Sequence, residues 1–95
     1  MIERLRRTCA EYGVGLRFDD LGSWGRAAEL RSEYDPTVPE IVVHLRTAPN
    51  LVAHAVAHEL YHHREAIGDV ARLRTRRERE RAADEHAVRL IEKLR

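Results

Sequence analysis

Cysteine and lysine are almost absent from this chain: Cys9 and Lys93 are the only ones in 95 residues. A lone thiol excludes an internal disulfide framework and a Cys-rich zinc finger. Cys9 continues the apolar series Ile2, Leu5, Cys9, Tyr12, which reads as the buried stripe of a helix. No stretch approaches the roughly 18–20 apolar residues that a membrane span needs, so no membrane partner is expected. The arginines near the N-terminus precede no apolar run, which argues against a secretory signal. A reduced, cytoplasmic setting is the expectation. The net charge is only +1 although 35% of the residues are charged, so gross charge gives no reason to expect nucleic acid as a partner.

Neither a repeat nor a low-complexity linker interrupts the sequence, and residues 1–95 read as one domain. A domain this short buries only roughly 60–65% of its unfolded surface, so a bound metal would matter to its stability. Residues 2–12 read as an amphipathic helix ended by Gly13 and Gly15, with a strand across Val14 to Phe18. Asp19 to Gly25 reads as a loop. The runs Arg26 to Tyr34 and Glu40 to Arg46 flank a Pro-containing turn and suggest a hairpin, with Ile41 to Leu45 as its apolar strand. A long helix follows from Thr47 or Asn50 to about Ile67, stopped by Gly68. Thr75-Arg76-Arg77-Glu78 fits a capping box that opens a last helix, which continues almost to Arg95. The expectation is an α+β fold, a small antiparallel or mixed sheet of about three strands packed against three helices.

His58-Glu59-Leu60-Tyr61-His62 lies on the long helix. Residues four apart leave the same helix face, so both imidazoles can reach one ion at about 2.0–2.1 Å, the zinc–nitrogen distance. Glu59 is rotated about 100° from His58. That makes it a poor ligand but leaves it within reach of water activated at the site. With 6 His and 11 Glu in 95 residues, this pattern is expected by chance roughly 0.04 times. Incidental surface histidines are therefore the weaker reading.

A catalytic zinc takes a third protein ligand. Glu65, Asp69, Glu78, Glu80, Asp84, Glu85 and His86 are the downstream candidates. Ala83, Ala87, Leu90, Ile91 and Leu94 form an apolar stripe on the last helix, and its backward extension passes through Asp84 and Glu80. Glu78, Glu85 and His86 are expected to project away from it. Acids on a buried stripe need compensation, which a metal gives if Glu80 ligates and Asp84 accepts the outer N–H of a ligating histidine. Pairing of both acids with Arg76 and Arg77 is the competing expectation.

His58-Glu59-x-x-His62 followed by Glu80-Arg81-Ala82-Ala83-Asp84 resembles the paired HExxH and ExxA(D/N) helices of gluzincin metallopeptidases. The strand Ile41 to Leu45 before Ala57-His58-Glu59-Leu60, and the run from Ala83 to Ile91, are similar to the ImmA/IrrE family and to the soluble minigluzincins. The resemblance covers roughly residues 40–92. It implies one zinc per chain on His58, His62 and Glu80, Glu59 as general base, and a peptide or protein substrate, with regulatory cleavage of a repressor-type protein as one form. If Ile41 to Leu45 is the sheet edge next to the cleft, it would take the peptide as an added strand. A latent or non-enzymatic zinc module, of toxin–antitoxin or mobile-element type, is the alternative, although a purely structural site has no use for Glu59.

His54 extends the His58/His62 stripe backwards and is expected as a partly buried polar neighbour. His63 is expected to face solvent or to serve as a C-terminal helix charge. Residues 72–81 hold six arginines against two glutamates, with no aromatics between them. A solvated face laced by helical ion pairs is the expectation, in preference to a nucleic-acid patch.

Overall fold

The computed structural model describes residues 1–21 and 32–95. Helix α1 (Ile2–Glu11) buries Leu5 and Cys9, four residues apart on one face. It stops at Gly13, whose φ of 74° is a left-handed conformation that only glycine adopts without strain. Strand β1 (Gly15–Asp19) begins one residue later than the sequence suggests. Residues 22–31, with most of the expected Asp19–Gly25 loop and the start of the Arg26–Tyr34 run, lie outside the described residues.

Strands β2 (Ser32–Asp35) and β3 (Glu40–His44) form the expected hairpin, pairing Tyr34 with Ile41. β1 pairs with β3 in parallel, Leu16 against Ile41, so the sheet is mixed and its order is β1-β3-β2. This corrects one expectation. The apolar strand at Ile41 is not a sheet edge but the middle strand, paired on both sides, and Ile41, Val42 and Val43 are all buried. A strand covered on both faces reads as a continuous apolar run, not as an alternation.

Helix α2 (Pro49–Ala66) packs on α1, β2, β3 and on helix α3 (Arg76–Leu94). Pro49 suits its first turn, where no intrahelical N–H is needed, and Gly68 at φ 77° follows its end. At the start of α3 the Thr75 hydroxyl accepts a hydrogen bond from the Glu78 N–H at 3.1 Å. Val56, Ala57 and Leu60 of α2 meet Ile41, Val43, Leu5 and Ala87 in the core. The fold is α+β, and α2 lies at its centre. Among the described residues no helix is long and apolar enough to cross a membrane.

Two histidines depart from expectation. His63 does not face solvent: it is 1% exposed, with Nε2 2.7 Å from the Tyr12 carbonyl and Nδ1 2.8 Å from the Tyr34 hydroxyl. The carbonyl can only accept, so Nε2 carries the proton and Nδ1 receives the Tyr34 O–H. One side chain thereby ties α2 to the end of α1 and to β2. His86 is buried too, on the side of α3 that meets α2. Its Nδ1–H donates to the Ala57 carbonyl at 3.1 Å, and Arg64 lies 3.2 Å from Nε2. Burial pushes its pKa below the ordinary imidazole value, with Arg64 and Arg89 adding to the effect. Both residues meet the rule that a buried polar group finds a partner.

Candidate metal centre

Successive turns of α2 carry His58 and His62 on the face turned toward α3. Their Nε2 atoms are 3.2 Å apart. Glu80, one turn into α3, brings Oε2 to 2.9 Å from His58 Nε2 and Oε1 to 3.3 Å from His62 Nε2. Bonds of about 2.0–2.1 Å in tetrahedral arrangement separate neighbouring ligand atoms by about 3.3 Å. The two imidazoles stand near that spacing, and Glu80 meets them with one oxygen each, at 2.9 and 3.3 Å.

The outer nitrogens explain why the inner ones are free to bind. His58 Nδ1 lies 2.8 Å from Asp84 Oδ1, and His62 Nδ1 lies 2.7 Å from Glu65 Oε1. A carboxylate accepts, so each neutral ring carries its proton on Nδ1 and turns an Nε2 lone pair inward. With the rings in that tautomer, two imidazole lone pairs and a carboxylate face one another across the gap between α2 and α3. A cation fits that arrangement, and the donor set of two imidazoles and a carboxylate suits zinc.

Glu59 lies close enough that ligand atoms of His58, Glu59 and His62 all fall within 4.8 Å of one another, but it stands farther from the imidazoles than Glu80. Glu59 Oε1 is 4.0 Å from His58 Nε2, and the residue is buried. Burial raises its pKa, against the lowering pull of His58 and His62. A carboxyl raised in this way is a better proton acceptor than an ordinary one.

Asp84 accepts from His54 Nε2 at 3.1 Å as well as from His58. Partial burial raises its pKa, but these hydrogen bonds prevail and hold it below the usual carboxylate value. His54 is therefore a polar neighbour, half-exposed and tied to the site through Asp84. His44, on β3, takes no part.

The buried-stripe argument for Glu80 and Asp84 needs correction. Their side chains are 45% and 59% exposed, because the stripe ends at Ala83 and the helix face beyond it opens onto a cleft. Nor do they pair with Arg76 or Arg77; both reach for histidines. The helical ion pairs expected along 72–81 do not form among the described residues, and the one ion pair its arginines make joins Arg79 to Glu65 at 4.0 Å.

Glu65 was legible only as a ligand candidate, whereas it buttresses His62 from one turn along the same helix. Its i, i+3 spacing from His62 was the available signal. The triad and Glu59 line a cleft of about 810 Å³, walled by α2, the start of α3 and strand β2. That volume lies within the range of small-molecule and peptide clefts. The strand on this cleft is β2, not β3. Compared with protein-family models, curated proteins and solved structures, the chain matches none of them.

Proposed function

We propose that this chain is a zinc-dependent peptidase of gluzincin type, one zinc per chain, with His58, His62 and Glu80 as ligands and Glu59 as general base. The convergence of two Nε2 lone pairs and one carboxylate within 2.9–3.3 Å supports the reading most strongly. The resemblance to the ImmA/IrrE family and the minigluzincins, carried by these same residues, agrees with it. Cleavage of a repressor-type protein in the cytoplasm belongs to the proposal as its regulatory form.

Zinc held there would supply Lewis acidity, bringing the deprotonation of water near neutral pH. Glu59 takes the proton of the attacking water on its carboxylate and hands it to the leaving amine. Asp84 and Glu65 hold the Nδ1–H groups, fixing each ring's tautomer and direction. A peptide lies along β2, which among the described residues pairs only with β3, and adds as another strand.

A latent or non-enzymatic zinc module is the competing reading, and Glu59 discriminates between the two. Glu59→Gln keeps the shape but cannot accept a proton. At equal zinc occupancy it is expected to lose about 10²–10⁴-fold in hydrolysis of a peptide library while retaining the fold. Equal cleavage by both proteins removes Glu59 as the base. Cleavage by neither, with zinc bound, favours the module.

A further inference from the structure

Not every charge that lines the cleft has a partner there. Glu80 is engaged by His58 and His62, Asp84 by His54 and His58, and Glu65 by His62 with Arg79 at 4.0 Å. Arg72 and Arg76 line the same cleft, both exposed, with no acidic partner within 4.0 Å among the described residues. Arg76 is four residues before Glu80, a spacing at which helical ion pairs ordinarily form. Glu80 has turned to the histidines instead, and the guanidinium is left over. Glu33, exposed on β2, is the acid on the strand side. A peptide in the cleft therefore meets negative charge along the strand and positive charge along the start of α3.

We propose that the cleft selects substrates carrying a carboxylate, received on the α3 side by Arg72 and Arg76. The inference deepens the peptidase reading and rests on it. Guanidinium forks bind carboxylates bidentately, which orients the peptide as well as attracting it. An acidic side chain and a C-terminal carboxylate offer the same chemistry, and the test separates them.

The test uses the zinc-loaded Glu59→Gln protein, so that binding is read without turnover. Two degenerate fluorescent peptide pools differ only in that one carries Glu where the other carries Gln. Each is prepared with an amidated and with a free C-terminus, and affinity is read by anisotropy. Exposed pairs are individually weak, so two together give an expected preference of about fivefold for the carboxylate. The preference should shrink as salt rises. It should vanish when Arg72→Gln and Arg76→Gln are added, a double variant whose zinc content and melting temperature match its parent.

Preference for Glu in amidated pools identifies a side chain; preference only for the free terminus identifies the terminal carboxylate. Equal binding of all pools, binding of none, or a preference that survives in the double variant overturns the inference. Wild-type hydrolysis, followed by mass spectrometry, separates it from its premise. Cleavage without acidic preference sinks the inference alone, whereas selective binding without any cleavage sinks the peptidase reading alone.

Discussion

Glu65 Oε1 lies 2.7 Å from His62 Nδ1, one turn along the same helix, and does for His62 what Asp84, from a different helix, does for His58. Each carboxylate holds the proton on the outer nitrogen of its ring. Removing that acceptor leaves the ligand atom in place but frees its tautomer and orientation. Glu65→Gln and Asp84→Asn are each expected to weaken zinc binding by about 10–100-fold without unfolding the chain. Competition with a chelator of known affinity measures it. Unchanged affinity in both variants would show that the carboxylates are bystanders.

Zinc should also stabilise the fold, because the proposed ligands come from both α2 and α3, whose packing carries much of the core. At a free zinc concentration about 100 times its dissociation constant, linkage gives about 2.7 kcal/mol. In a domain of this size that corresponds to a rise of roughly 10 °C or more in melting temperature. Calorimetry with and without chelator, metal loss confirmed, tests this. An unchanged melting temperature contradicts it.

Alkaline pH should act through Cys9. Burial pushes its thiol from 9.0 up to about 11, with Arg6 pulling the other way. The unfolded chain loses this proton near pH 9 while the folded chain keeps it. Cys9's contribution is thus intact below pH 9 and declines as pH rises from 9 through 11, by at most about 2–3 kcal/mol. Cys9→Ala lacks this titration. Denaturant unfolding should find a constant gap between wild type and Cys9→Ala below pH 8.5 and a closing gap above 9. Parallel curves to pH 11 would refute the assignment.

The helical part of the site was legible because its signal is local. His58, Glu59 and His62 share one helix, and a period of 3.6 residues fixes their directions. Glu80 was reached through the apolar stripe, by an argument that overstated its burial. What decided its place is the cleft between α2 and α3, and a stripe on one helix cannot show where its neighbour ends. The strand on the cleft was missed for a related reason. β3 becomes central only through parallel pairing with β1, some 25 residues earlier in the chain, and nothing local announces that partner. His63 depends on Tyr12 and Tyr34, and His86 on Ala57, so their burial was set by residues far away in sequence. Arg76 shows the converse. Its helical pair with Glu80 is a sound local expectation, overridden because two histidines claim the carboxylate.

The third ligand tests the account most directly. Zinc content of purified wild type, Glu80→Ala and Glu78→Ala is measured by mass spectrometry of metals after equilibration with limiting zinc and a competing chelator. Wild type and Glu78→Ala should each hold one zinc per chain, since Glu78 contributes only its backbone N–H to the helix cap. Glu80→Ala should lose most of its zinc under the same conditions while remaining folded. Full zinc occupancy in Glu80→Ala, or its loss in Glu78→Ala, would contradict the assignment of His58, His62 and Glu80 as the metal site.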